Sequence, residues 1–142
     1  MINAVRACSL LALAVAAMGC GRQDNGAAAT GDSAAVRTIE ERGRAAFSAC
    51  AICHSTKDPE APGYAQMVGP SLFGVYGAKS GHVATYDYSQ AMRDANLTWD
   101  EATLDRFITR PNDVVPKTRM AFVGEADAEK RAAIIAYLKT LK

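Results

Sequence analysis

The 142-residue sequence predicts an all-α domain with about three main helices joined by long loops. Apolar residues recur at helical spacing in residues 38–50, in residues 99–109 and in a last segment after Asp127. Strand signals are weak throughout the sequence, and no internal repeat is visible. These observations favour helices over sheets and a single domain over a repeat array.

The first predicted helix, residues 38–50, places Ile39, Ala46, Phe47 and Cys50 on one apolar stripe. Gly43 lies inside this segment, although glycine costs a helix about 1 kcal/mol relative to alanine. A close crossing with another helix would explain it, because a missing side chain lets two backbones approach. The alternative is a helix that begins later.

The middle of the chain is rich in turn formers. Residues 55–68 and 77–87 are predicted loops, and residues 89–95 form a predicted short helix. Thr98 is the predicted N-cap of the helix 99–109, because Glu101 follows it three residues later as in a capping box. Pro111 is expected to end or interrupt that helix, and residues 112–123 are expected to be extended or loop-like.

The last predicted helix has Asp127 as its cap. Ile134, Ile135, Leu138 and Leu141 follow at i, i+1, i+4 and i+7, the spacing of one apolar helical face. This helix is therefore expected to pack against the rest of the domain through that face.

Composition limits the function classes that fit the chain. It is 49% hydrophobic and 22% charged, with a formal net charge of +1, which suits one small globular domain. No basic run is present, so the sequence does not indicate a nucleic-acid partner.

The strongest chemical motif is the pentapeptide Cys50-Ala51-Ile52-Cys53-His54. Cys, two residues, Cys and His is the pattern by which a c-type haem is covalently attached. On a helix, residues three and four apart share a face. Both thiols and the imidazole can therefore reach one planar cofactor, and a central cofactor would give the long loops something to pack on.

Other interpretations of the motif remain open. A zinc site requires four ligands, and outside the motif only Cys8, Cys20 and His82 could supply a thiolate or an imidazole. A thioredoxin-like redox pair requires a surrounding βαβ pattern, and none is visible. A chance pair of structural cysteines is the third alternative. His82 itself is expected to face solvent and receives no role.

Residues 1–20 read as an export signal. Ala7 to Ala17 form an apolar run of signal-peptide length, too short for a membrane-spanning helix. The following Ala17-Met18-Gly19-Cys20 resembles a bacterial lipoprotein cleavage box, which implies lipidation of Cys20. The alternatives are ordinary cleavage near residues 27–29, or an uncleaved anchor.

Residues 21–36 are rich in Gly, Ala, Asp and Ser, and are predicted to be a flexible linker before a domain at residues 37–142. A random coil of this length spans roughly 20–25 Å. The linker could therefore let a tethered domain sample partners near a membrane.

From about Gly43 to Lys142 the chain resembles class I cytochrome c, the mitochondrial type and its bacterial relatives. The resemblance rests on a series of motifs that occur in the family's order. They are Gly43 and Phe47, Cys50-x-x-Cys53-His54, Gly69-Pro70-x-Leu72-x-Gly74, Tyr86-x-Tyr88-Ser89, Leu97-Thr98-Trp99, Pro116-x-Thr118-x-Met120-x-Phe122 and Ile135-Ala136-Tyr137-Leu138-Lys139.

This resemblance implies the class I cytochrome c fold around one covalently bound haem c, attached through Cys50 and Cys53. It implies that His54 and Met120 are the axial iron ligands, a pair that raises the potential. Met67 and Met92 are the other methionines of the domain. The Pro70 carbonyl would accept a hydrogen bond from the second nitrogen of the ligating imidazole.

Three further positions match residues that bind haem propionates in the family: Tyr88, Trp99 and Thr118. Without the resemblance, Tyr88 and Trp99 could equally be core residues, and Met120 could be a core gap-filler. Gly43 and Tyr137 match the positions where the first and last helices cross.

The sequence also departs from the family pattern. Ala78 stands where many relatives carry an arginine near a propionate, and Phe107 stands where many carry a tyrosine near the distal methionine. Asn112 and Asp113 replace lysines of the usual basic docking face. We therefore expect weak long-range steering of partners and more dependence on apolar contact or tethering.

Together these features predict a monomeric one-electron carrier rather than an enzyme, exported to the periplasmic side of a bacterial membrane and anchored there through Cys20. The expected partners are respiratory membrane complexes: a quinol-oxidising complex, and a terminal oxidase or reductase. The alternatives are a haem enzyme or gas sensor that opens when Met120 dissociates, and a fixed haem subunit of an oxidase complex.

Overall fold

The computed structural model describes residues 37–142, and the predicted signal peptide, the linker and Cys20 lie outside the described residues. Within that range the prediction of an all-α domain is confirmed, and no strand is present. Six helices occur: α1 Ile39–Ala46, α2 Ser48–Ala51, α3 Gln90–Asp94, α4 Glu101–Thr109, α5 Pro111–Val114 and α6 Ala128–Leu138.

Helix α1 begins at a complete capping box. The Thr38 hydroxyl accepts a hydrogen bond from the Glu41 backbone N–H at 3.2 Å, and the Glu41 carboxylate accepts from the Thr38 N–H at 2.8 Å. The two bonds satisfy backbone donors that the first helical turn leaves without partners. Phe47 then separates α1 from α2, so the single predicted helix is two consecutive helices. Ile39 is 39% exposed rather than part of the buried stripe.

Gly43 lies where α1 crosses α6. A Cβ atom at this position would lie 2.6 Å from the Ala133 carbonyl carbon and 2.8 Å from the Tyr137 Cβ. Beside this crossing, the rings of Phe47 and Tyr137 pack edge to face with centroids 5.2 Å apart. The predicted close helix crossing is therefore confirmed.

Two boundaries in the middle of the chain differ from the prediction. The N-cap of α4 is Asp100, whose carboxylate accepts from the Thr103 N–H at 2.8 Å, and not Thr98. Thr98 instead forms an isolated β-bridge with Lys79. Asp100 therefore caps α4 with its carboxylate, in place of the capping box predicted for Thr98 and Glu101.

The second difference concerns Pro111, which begins α5 rather than an extended segment. Proline has no N–H to lose and a helical φ angle, so it suits the first position of a helix. The prediction that residues 112–123 are extended or loop-like is therefore wrong for the first three of them. The predicted short helix after Ser89 and the last helix capped by Asp127 are both present.

Helices α4 and α6 are joined by an ion pair. The Arg131 Nε lies 2.7 Å from the Asp105 Oδ1, and the Arg131 Nη1 donates to the carbonyls of Glu125 and Ala126 at 3.1 and 2.9 Å. The same guanidinium thus holds the turn that enters α6. Charge-assisted bonds of this kind are stronger than neutral ones. The segment at Glu125 and Ala126, which leads into α6, is therefore held in place.

The buried core combines residues of α4 and α6 with residues from the part of the chain before α4 and with Val115. Its least exposed apolar members are Val75, Leu104, Val115, Ala133, Ile134, Ile135 and Leu138. Residues 37–142 include no helix that is both long enough and apolar enough to cross a bilayer.

Candidate functional site

A cavity of about 490 Å³ opens between the helices and the loops, and its walls are mainly apolar. This volume is within the range of roughly 300–1,000 Å³ that is typical of ligand and cofactor sites. The fold brings all eight predicted cofactor residues of the domain to this cavity: Cys50, Cys53, His54, Pro70, Tyr88, Trp99, Thr118 and Met120.

The Cys-x-x-Cys-His segment forms a tight turn at the end of α2. The Cys53 and His54 backbone N–H groups both donate to the Cys50 carbonyl, at 3.1 and 2.9 Å. The two cysteines are partly buried and do not form a disulfide. Burial raises the pKa of the Cys50 thiol, and the nearby Lys130 ammonium lowers it. Two thiols are thus available at the cavity wall for attachment of a group.

The His54 ring is oriented by the backbone. Its Nδ1 lies 2.7 Å from the Pro70 carbonyl oxygen. Because a carbonyl can only accept, Nδ1 carries the proton and Nε2 keeps a lone pair, the form in which imidazole binds a metal. Burial lowers the pKa of His54, and the bond to Pro70 partly offsets this effect. The neutral form of the ring is therefore favoured.

Gly69 lets the backbone pass directly beside this ring. A Cβ atom at Gly69 would lie 2.5 Å from the His54 Cε1 and 2.7 Å from its Nδ1. The Gly69 N–H donates to the Cys53 carbonyl at 2.8 Å, so the contact is held by a hydrogen bond between the two segments. The sequence predicts no role for Gly69 beyond its place before Pro70 in the motif, which is the available signal.

Among the methionines of residues 37–142, Met120 and Met92 line the cavity, whereas Met67 is absent from its lining and is 36% exposed. Met120 follows a turn in which Lys117 adopts a positive φ of 68° and the Thr118 N–H donates to the Val115 carbonyl at 3.0 Å. The Thr118 hydroxyl accepts from the Met120 N–H at 3.3 Å. Backbone bonds thus hold the residue beside the cavity.

Aromatic side chains form much of the remaining wall. Trp99 and Phe107 pack with centroids 4.9 Å apart, and both are buried. The Tyr88 hydroxyl accepts from the Val83 N–H at 3.4 Å, so its own hydrogen is available to another acceptor. Burial raises the pKa of Tyr88, which keeps it a neutral donor.

The expectation that His82 faces solvent is wrong. His82 lines the cavity, and its Nδ1 is buried without a hydrogen-bond partner among the described residues. Its Nε2 lies 3.4 Å from the Phe73 carbonyl oxygen. A single histidine in a loop belongs to no helical or strand periodicity that would predict its burial. Only the packing of the loop in the folded structure shows where the ring lies.

The residues present fit a covalently attached haem. The cavity lining has two free thiols, two imidazoles, two thioethers and apolar side chains, among which are the groups that attach, ligate and enclose such a cofactor. Residues 37–142 contain no group of three or more His, Cys, Asp and Glu side chains placed to hold a metal ion. The zinc interpretation thus finds no further ligands in the described part of the chain.

Comparison with known proteins identifies the family of this chain. The family model described as cytochrome c matches residues 40–142. The chain belongs to the cytochrome c family. Membership implies a covalently bound haem c, and the class I cytochrome c fold is confirmed.

Individual cytochromes cover most of the domain. Cytochrome c2 of Rhodomicrobium vannielii is 43% identical over 99 residues, which are 70% of this chain and 76% of the relative. Cytochrome c of Euglena viridis is 42% identical over 103 residues, 72% of this chain and 96% of the relative. The solved structure of cytochrome cH from Methylobacterium extorquens matches with a TM-score of 0.64 at 41% identity, covering 71% of this chain and 97% of that chain.

Proposed function

We propose that this protein is a one-electron carrier whose haem c is bound by thioethers from Cys50 and Cys53, with His54 and Met120 as the axial ligands. The observation that supports this most directly is the convergence of all four side chains on one apolar cavity. The bound haem supplies a single iron that changes its charge by one. With His54 and Met120 both bound to it, that iron would have no position left for a substrate.

The chain's own residues would do three things for that iron. The Pro70 carbonyl holds the His54 ring in one tautomer and one orientation. Phe107 and Met92 are buried and line the cavity, where they would keep water from the bound group. A soft, neutral thioether from Met120 favours the ferrous state. Tyr88, Trp99 and Thr118 remain the proposed partners of the haem carboxylates.

The proposed contact surface for partners is apolar. Ile52 and Val68 line the mouth of the cavity and are 75% and 80% exposed, and Val123 is 95% exposed. Asn112 and Asp113 are exposed. They replace lysines of the basic docking face that is usual in the family, so this chain has less positive charge there. Docking would then depend on apolar contact more than on electrostatic steering.

The proposed setting is the periplasmic side of a bacterial membrane. The carrier would be a monomer, tethered through a lipidated Cys20 and a linker at residues 21–36. The proposed partners are respiratory complexes, a quinol-oxidising complex and a terminal oxidase or reductase. Tethering would raise the local concentration of the carrier at these partners.

The experiment that tests the electron-carrier proposal is a visible spectrum of protein matured in an exporting host, oxidised and reduced, with and without carbon monoxide. Sharp c-type bands that do not respond to carbon monoxide, with a methionine-to-ferric charge-transfer band, are expected. A rapid response to carbon monoxide would favour the enzyme or sensor alternative. Absence of haem would refute both, and tight co-purification with an oxidase would favour the fixed-subunit alternative.

The tether is tested by Cys20→Ser in the full-length protein. We expect the variant to leave the membrane fraction, because the lipidated thiol is lost while the rest of the chain is unchanged. Cys8→Ser is the matched control, since Cys8 lies within the apolar run of the signal. Immunoblots of washed membranes measure the distribution. A Cys20→Ser protein that stays membrane-bound would show that the anchor lies elsewhere.

A further inference from the structure

The chain that leads from α5 to the cavity makes a tight turn at residues 115–118. The Thr118 N–H donates to the Val115 carbonyl at 3.0 Å, and Lys117, the third residue of the turn, has a φ of 68°. The second residue of the turn is Pro116. Proline followed by a residue with positive φ is the pattern of a type II turn, in which the third position is usually glycine. In this chain a lysine occupies that position.

Within residues 37–142, Lys117 and Asn96 are the two residues other than glycine that have a positive φ. Asn96, with a φ of 46°, directly follows the C-cap of α3. Asparagine tolerates the left-handed conformation and recurs at this position after a helix. Lysine has no such tolerance, because its Cβ atom comes too close to the following carbonyl oxygen. Lys117 is therefore the strained residue of the two.

The side chain of Lys117 does not offset this strain. It is exposed, and none of the ion pairs among residues 37–142 includes it. A residue stays in a sparsely populated backbone conformation only when the surrounding structure enforces that conformation. The residues on either side of the turn, and not the lysine itself, must therefore impose the left-handed φ.

Both ends of the turn are held in place. Val115 is 2% exposed, and its N–H donates to the Pro111 carbonyl at 2.9 Å, which fixes the start of the turn to α5 and the core. At the other end, Thr118 and Met120 line the cavity, and the Met120 N–H donates to the Thr118 hydroxyl at 3.3 Å. The left-handed conformation of Lys117 joins these two fixed ends, so it is required by the place of Met120 at the cavity.

We propose that Lys117 is a positioning residue whose strained backbone weakens the hold of the Met120 thioether on the haem iron. The strain is present while Met120 lies at the cavity. It is relieved when Met120 and Thr118 leave the cavity wall, because residue 117 can then return to an ordinary negative φ. The open state is therefore more populated than it would be with glycine in the turn. This inference rests on the proposed function, in which Met120 is an axial ligand.

The test uses free imidazole as a probe of the open state in the ferric, haem-loaded protein. Imidazole can bind the iron only after Met120 leaves it, so the apparent affinity is proportional to the open population. Lys117→Gly and Lys117→Asn both relieve the strain, and we expect each to lower the imidazole affinity by about three- to tenfold. Titration of the visible spectrum, including the methionine-to-ferric charge-transfer band, measures this affinity.

Two control variants separate strain from charge and from general stability. Lys117→Gln removes the charge of the lysine but keeps a side chain for which the left-handed conformation is equally unfavourable. It should bind imidazole with the wild-type affinity. Asn96→Gly changes the other left-handed residue, which is absent from the cavity lining. It should leave the imidazole affinity unchanged, whatever its effect on the free energy of unfolding.

The outcomes distinguish this inference from the proposed function. An imidazole affinity that falls in neither Lys117→Gly nor Lys117→Asn, with the charge-transfer band intact, would refute the role of strain and leave Met120 as the ligand. An equal fall in Lys117→Gln would assign the effect to charge and would also refute it. A wild-type protein without the charge-transfer band would overturn the ligand assignment, and this inference with it.

Discussion

At the scale of single residues, the backbone around His54 determines what the side chain can do. The Pro70 carbonyl selects the tautomer, and Gly69 provides the space in which the ring lies. A cysteine or histidine motif alone specifies neither feature. The proposed ligand is therefore oriented by residues that lie fifteen and sixteen positions further along the chain.

Met120 is the residue whose proposed role is most directly measurable. Met120→Ala should leave the haem attached but lower the potential, on the order of 100–200 mV within the roughly 0.8 V that axial ligands span. The physical reason is that loss of the soft thioether removes a preference for ferrous iron and opens a position on the metal. Potentiometry and carbon monoxide binding measure the two effects.

Met92→Ala is the matched control for this prediction. Met92 is buried and lines the same cavity as Met120, so its truncation also leaves a void there. If Met120 is the ligand, Met92→Ala should bind no carbon monoxide and keep the charge-transfer band. An unchanged potential in Met120→Ala, or loss of the band in Met92→Ala alone, would reverse the assignment.

At the scale of elements, the crossing of α1 and α6 joins the beginning of the domain to its end. The crossing needs a position without a side chain, and Gly43 provides it beside Ala133 and Tyr137. The haem-attachment motif follows directly after α1 in the chain. The crossing therefore positions α2, and the Cys-x-x-Cys-His segment that begins in it, relative to α6.

Gly43→Ala tests this crossing, because its expected effect on the free energy of unfolding has the opposite sign to that of the same change in an open helix. In an open helix the change would stabilise by about 1 kcal/mol. Here the added methyl group meets the α6 backbone, and overpacking typically costs about 1–3 kcal/mol. We expect a lower free energy of unfolding in guanidinium titrations of the holoprotein.

Ala45→Gly provides the comparison on the exposed side of the same helix. It should cost about 1 kcal/mol through helix propensity alone. A Gly43→Ala protein at least as stable as wild type would mean that the two helices are not in contact as described.

At the scale of the whole molecule, the core and the cofactor cavity are one structure. Residues such as Phe47, Leu104, Phe107 and Ile134 belong both to the buried core and to the cavity wall. Without an occupant, these side chains would face an open space of about 490 Å³ instead of packing against one another. The core is therefore expected to depend on the group that fills the cavity.

Cys53→Ala should therefore affect folding as well as attachment. With one thioether lost, we expect a clear drop in covalently bound haem and a largely unfolded apoprotein, because the core has no centre to pack on. Haem staining after denaturing electrophoresis and far-ultraviolet circular dichroism measure the two quantities. Ala51→Ser, an exposed change between the same cysteines, should keep both at the wild-type level. A well-folded, haem-free Cys53→Ala protein would contradict this account.

The sequence by itself determined the class of fold, the main helices and the attachment motif, because helical periodicity, caps and Cys-x-x-Cys-His spacing are local signals. It also singled out Met120 through its resemblance to a family. Local signals were less reliable where two nearby residues could both cap a helix, since Asp100 rather than Thr98 caps α4. They were also less reliable at Pro111, which can end one helix or begin another and here begins α5.

The tertiary structure alone decided which distant residues meet. His82 is in a loop with no periodic pattern, and only the pairing of that loop with the Trp99 segment turns its ring toward the cavity. The role of Gly69 likewise depends on a contact between two segments that its own neighbours do not specify. Packing between remote parts of the chain fixes such contacts, because burial and hydrogen bonding are satisfied across the fold and not along the sequence.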